Sequence, residues 1–166
     1  MICMIVFVSL GAFAQSNEEK KAISHTLDAW HRAAANADFE AYFSLMTDDG
    51  VFLGTDATEN WQNQEFKDFS KPYFDQGRAW SFTAVERNIY MDENQQLAWF
   101  DELLDTQMKL CRGSGVLKKV QGHWKIAHYV LSIAVPNENV GELIKIKEQK
   151  DSLLLIQLKE KYLRGN

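Results

Sequence analysis

Cysteine and proline are scarce in this chain of 166 residues, which has two of each: Cys3, Cys111, Pro72 and Pro136. So little thiol excludes a disulfide-stapled scaffold, and the core must rest on buried apolar surface. Positive charge is also short: 18 Lys and Arg stand against 23 Asp and Glu, a formal net charge of -5. That balance argues against a nucleic-acid partner, which requires a basic face. The four histidines are scattered, with no His-x-His, His-x-x-x-His or Cys pair, so no metal site is expected. Ser–His–Asp hydrolysis lacks its nucleophile turn, because Gly113-Ser114-Gly115 has neither the G-x-S-x-G spacing nor a strand–turn–helix context. No apolar run is long enough for a stable membrane anchor. No internal repeat, low-complexity tract or linker divides the chain.

What is present fits a globular protein with a filled interior: 46% of residues are hydrophobic and 12% aromatic. Residues 1–15 read as an export segment. Ile2 to Leu10 is a short apolar run, and Ala12-Phe13-Ala14 supplies the small-x-small pattern before a cut at Gln15. A buried amino-terminal helix is the alternative. No Lys or Arg precedes the apolar run, which points to a start codon further upstream. No cysteine sits at the cut, so nothing supports a lipid anchor. The expected location is periplasmic or secreted. Cleavage leaves Cys111 as the sole thiol, read as a small hydrophobe rather than a nucleophile.

Asn17 to Ala35 has helical periodicity, with Ile23, Leu27, Trp30 and Ala34 on one stripe. Asn36-Ala37-Asp38 breaks it and caps a shorter helix that buries Phe39, Tyr42, Phe43 and Met46. Thr47-Asp48-Asp49-Gly50 reads as a turn before a short strand, Val51-Phe52-Leu53. A helix follows from about Asn60 to Gln76, ended or kinked by Pro72. Strands are then expected over Trp80 to Tyr90, Gln96 to Met108, Arg112 to Val120 and His123 to Val135, joined by short turns as an antiparallel meander. Gly113 and Gly115 suggest a bulge where the sheet bends. Glu138 to Leu163 reads as a charged helical tail whose aliphatic residues dock on the protein's own sheet or on a second subunit.

The final hairpin, Gly115-Val116-Leu117-Lys118-Lys119-Val120-Gln121-Gly122-His123-Trp124-Lys125-Ile126-Ala127-His128-Tyr129-Val130-Leu131-Ser132, follows helices and a curved meander. With Val51 to Asp56, Glu59 and Trp61, it resembles the nuclear transport factor 2-like superfamily and, within it, the SnoaL-like branch. The resemblance runs from about Asn17 to Pro136. It implies an α+β cone, with amino-terminal helices on a strongly curved antiparallel sheet and an added carboxy-terminal helix. The domain limits become 16–136 for the SnoaL-like part and 137–166 for the extension. Members of that superfamily include isomerases, dehydratases, cyclases, transport factors and an association domain, so the fold alone does not choose a reaction.

In its enzymes a carboxylate, or a carboxylate with a histidine, handles a proton inside the cone. The resemblance therefore makes Glu102, His128 and Asp56 catalytic candidates, and Glu59, Trp61, Asp101, Arg112 and Ser132 ligand-binding ones. Simple alternation puts His128 on the face of Trp124, Ile126 and Ser132. A core histidine satisfied by a carboxylate or carbonyl accounts for it equally well. Asp101 and Glu102 are adjacent in a strand and point to opposite faces, and Glu102 is favoured as the inward one. Arg112 would pair with Glu102 or hold an anionic ligand, and a structural pair is the commoner outcome. Asp56 could instead cap the following helix.

The expected function is an exported SnoaL-like protein, a homodimer, binding a small, partly apolar ligand in the cone, without a cofactor. A cofactor-independent isomerase, cyclase or dehydratase using a carboxylate–His128 relay is one alternative. A homodimeric association module is another.

Overall fold

The computed structural model describes residues 6–164, with side chains from 15 onward. The expected export segment thus lies largely outside the described side chains, and residues 1–5 lie outside altogether. The chain divides into two compact units, Met1–Ile133 and Ala134–Asn166.

In the first unit, α1 (Val6–Ala35) is the longest helix. Its apolar stripe is buried as the periodicity requires, Ile23, Leu27, Trp30 and Ala34 each being at most 1% exposed. Ala37, at φ 52°, breaks the helix. Asp38 then caps α2 (Phe39–Ser44), accepting the amide of Ala41. Helix α3 (Asn63–Asp75) follows β1 (Met46–Leu53) and the short β2 (Asn60–Gln62). It does not stop at Pro72 but runs on to Asp75, because only one amide is lost in the last turn and buried Phe74 anchors that turn.

Strands β3 (Phe82–Met91), β4 (Leu97–Thr106), β5 (Lys109–Val120) and β6 (His123–Ile133) form the expected meander. The β5–β6 turn places Gln121 and Gly122 at φ 50° and 82°, the left-handed geometry a two-residue hairpin needs. The six strands lie in the order β2-β1-β6-β5-β4-β3. The curved sheet is mixed rather than wholly antiparallel, because β1 runs parallel to β6.

Three irregularities set which side chains face inward. Thr47 to Gly50, expected as a turn before the strand, lies inside β1, where the β1–β6 register slips between Met46 and Val51. The turn-forming residues are absorbed as an outward bulge. On β3 the register slips at Val85, so that Arg87 turns inward with Ile89 and Met91. On β6, Val116 pairs with His128 and Leu117 with Ile126, which leaves Ala127 as an extra residue. The bulge therefore belongs to β6 and not to the glycines of β5.

Those glycines have a different task. A Cβ on Gly113 would stand 2.2 Å from the Tyr129 hydroxyl, and one on Gly115 would stand 2.2 Å from the His128 carbonyl. Helices α1 to α3 cover the inner face, and the core between is dominated by aromatic rings. Trp30 stacks on Tyr42 at 4.7 Å, and Phe52 stacks on Phe66 at 4.1 Å.

In the second unit, α4 (Val140–Arg164) buries no residue and carries the i,i+4 ion pair Lys147–Asp151 at 2.9 Å. No described helix is long and apolar enough to cross a membrane.

Candidate functional site

The interior of the first unit holds a carboxylate. On β4, Ala98, Phe100, Glu102, Leu104 and Thr106 alternate inward, and Glu102 is wholly buried. One oxygen, Oε1, lies 2.8 Å from Nε2 of His31 and accepts the Tyr129 hydroxyl at 3.2 Å. The other, Oε2, accepts Nε of Arg87 at 2.8 Å, with Nη2 at the same distance. Nη1 of Arg87 turns back to α1, donating to Asp28 at 2.7 Å and to the Ser24 hydroxyl at 2.9 Å. An ionised carboxylate can only accept, so the Nε2 of His31 carries the proton in this bond.

Burial alone would raise the Glu102 pKa. The bond and charge of His31, and the charge and bonds of Arg87, outweigh it and hold the carboxyl below its usual range. The Tyr129 hydroxyl moves well upward, first through burial and then through the negative charge of Glu102.

A cleft of about 210 Å³ opens beside this cluster. Its walls include six aromatic rings: Phe52, Trp61, Phe66, Phe69, Trp80 and Phe82. Phe66 is near-parallel to both tryptophans, 18° from Trp61 and 23° from Trp80, so these walls share one orientation. Glu59 is the single charged lining residue, with Thr55 and Gln107 adding polar groups. The Glu59 side chain lies over Gly54, where a Cβ would be 2.1 Å from its Oε2, and that oxygen accepts the Asp56 amide at 3.1 Å. Glycine at position 54 is thus what admits the carboxylate to the rim.

The buried cluster and the cleft are one aromatic layer apart. His31 meets Phe82 edge-on at 5.8 Å, and Tyr129 stacks on Phe52 at 5.5 Å, both phenylalanines being cleft walls. No atom of Glu102, His31 or Tyr129 lines the cleft itself. A larger hollow of about 560 Å³ lies at the far end, between the start of α1 and the β5–β6 turn. There Glu19 is engaged by Lys119 at 2.6 Å and by the Trp124 indole at 2.7 Å, bonds that hold its pKa down. Glu19 and Lys119 are thus engaged with each other, whereas the aromatic cleft has no basic residue in its lining to pair with Glu59, and the cleft is taken as the ligand site.

The candidates from sequence separate accordingly. Glu102 faces inward as favoured, and Glu59 and Trp61 meet in the cleft. His128 does not join Glu102: the Ala127 bulge reverses the alternation, so Tyr129 and Leu131 point inward and His128 sits half-buried on the outer face, opposite Val116 and Val51. Asp101, Arg112 and Ser132 are on that outer face too. Asp101 lies 4.0 Å from Arg112 and accepts Asn88 at 3.1 Å, and Arg112 pairs with exposed Ser132. Arg112 therefore lies beside Asp101 on the outer face and does not reach Glu102. Asp56 accepts the amide and hydroxyl of Thr58 in the β1–β2 loop and caps that turn, while Gln62 caps α3.

The residues that engage Glu102 were missed. His31 was legible, lying four residues after Leu27 on the buried stripe of α1. Arg87 and Tyr129 were not, since their direction depends on bulges. Cys111 is fully buried with its sulfur 3.5 Å from the Thr106 hydroxyl. Among the described residues, no group of three His, Cys, Asp or Glu could hold a metal ion.

Comparison with known proteins agrees with this architecture. An NTF2-like protein of unknown function from Pseudomonas putida KT2440 superposes with a TM-score of 0.60 at 14% identity, over 75% of this chain and 92% of that one. A protein named "Putative Scytalone Dehydratase" from Novosphingobium aromaticivorans gives 0.64 at 13% identity, over 74% and 89%. An NTF2-like protein from Cytophaga hutchinsonii gives 0.58 at 15%, over 69% and 98%. Identities this low bear on the fold alone. No curated protein matches the sequence. The SnoaL-like domain model matches residues 23–136, more than half of the chain and all of the sheet. With its helices, mixed curved sheet and buried carboxylate accounted for, the chain belongs to the SnoaL-like family of the nuclear transport factor 2-like superfamily.

Proposed function

We propose that this protein is an exported binding protein for a small, partly apolar molecule, held between the aromatic walls of the cleft. The observation that carries this reading is the separation of the two parts of the site. The cleft offers stacking surface and one carboxylate, whereas Glu102 lies behind Phe52 and Phe82 with both oxygens engaged. A general base needs access to its substrate and a pKa near working pH. Glu102 has no access to the cleft, and its pKa is displaced the other way. It ties α1 to β3, β4 and β6, which fixes the wall of a binding site. The export part rests on the apolar run and Ala12-Phe13-Ala14.

The test is native mass spectrometry of the protein isolated from its own host, beside a Trp61→Ala variant. A bound small molecule in the first, diminished in the second, supports the reading. Steady turnover of a bound compound into a released isomer or dehydrated product would replace it with the enzymatic one.

Self-association is favoured by a separate observation. On the outer face Tyr90 and Trp99 stack at 6.0 Å, each 46% exposed, with exposed Leu97 two residues from Trp99 on the same face of β4. We take this face to join two copies. Trp99→Glu is expected to turn dimers into monomers in the same spectra.

A further inference from the structure

We infer that the cleft selects cationic ligands, with Glu59 as the residue that sets the preference; this rests on the binding reading above. Of the twelve lining residues six are aromatic, none is basic, and Glu59 alone is charged. Glu59 is half-buried, so its charge is screened less than that of an exposed carboxylate. Its Oε2 is held by the Asp56 amide, and its Cβ and carboxylate lie against Gly54, which fixes the group at the rim instead of letting it swing into water. One backbone amide neutralises little of a full negative charge. The remaining demand is for a donor, best met by a protonated amine on an aromatic body that fills the space between the walls. An anionic ligand would bring two carboxylates together beside low-dielectric rings, a costly arrangement.

Three probes of one ring system test this by calorimetry at low salt: tryptamine, the neutral alcohol tryptophol, and indole-3-acetate. The amine is expected to bind at least about tenfold more tightly than the alcohol, with the acid weakest. Glu59→Gln keeps an acceptor for the Asp56 amide while removing the charge, and should bring the three within about threefold of one another. Salt gives a readout that needs no variant: added sodium chloride should weaken the amine and leave the alcohol unchanged. If the alcohol or the acid binds the native protein as tightly as the amine, the charge preference is wrong while the binding site stands. If the preference survives Glu59→Gln, Glu59 is not its source. If none of the three binds, the cleft is not a site for such molecules, and both readings fall.

Discussion

His31 and Glu102 are 71 positions apart in the chain, and their side chains meet at 2.8 Å inside the fold. That contact, with Arg87 on the other oxygen, fastens α1 to the sheet through a charge that water does not reach. Buried charges of this kind are costly to leave half-paired, and the network satisfies Glu102 from three elements at once.

Removing the charge should therefore destabilise the fold. Glu102→Gln leaves the Arg87 guanidinium, 9% exposed, facing a neutral amide. A loss of about 3 kcal/mol is expected from urea unfolding at pH 7. A change under about 0.5 kcal/mol would mean the network contributes no net stability.

Acid stability should follow the same group. The folded pKa of Glu102 is lowered from 4.5, so the unfolded chain takes up the proton first as pH falls. Its contribution is complete above about pH 4.5 and drains away as pH drops toward the folded value. Unfolding free energies between pH 6 and 2 should decline less steeply in Glu102→Gln than in the native protein.

At high pH the sign reverses. Tyr42 and Tyr129 are both raised well above 10.0, so the unfolded chain loses these protons while the folded one keeps them. Stability from these hydroxyls is complete below about pH 10 and falls as pH rises beyond it. Tyr129→Phe removes one of the two and should make the alkaline decline shallower.

Gly113 is tested by addition. Its missing Cβ would overlap the Tyr129 hydroxyl at 2.2 Å, so Gly113→Ala should cost about 2 kcal/mol or more. Combined with Tyr129→Phe the loss should be less than additive, because the clashing oxygen is gone. Full additivity in thermal melts would show that the clash is relieved elsewhere.

His128 provides a negative control. It sits on the outer face and is not among the residues that line the cleft, so His128→Gln should leave cleft ligand retention within about twofold of native. A large loss would put His128 in the site after all.

Periodicity and turn chemistry were enough to read most of this architecture from the chain. The stripe Ile23, Leu27, Trp30, Ala34 determined the buried side of α1, Asp38 the start of α2, and Gln121-Gly122 the final hairpin, since each depends on neighbours a few residues away. The adjacent pair Asp101 and Glu102 also had to split between faces, whatever the rest of the chain did. Which histidine met Glu102 was decided in three dimensions. One extra residue, Ala127, and another slip at Val85 rotate whole strand segments by one step, taking His128 out and bringing Tyr129 and Arg87 in. A bulge forms where two strands must bend together over a core, and that demand comes from packing rather than from the residues on either side. Local sequence thus determined the elements and their apolar faces, while tertiary structure alone selected the partners of the buried charge, because strand register answers to the whole sheet.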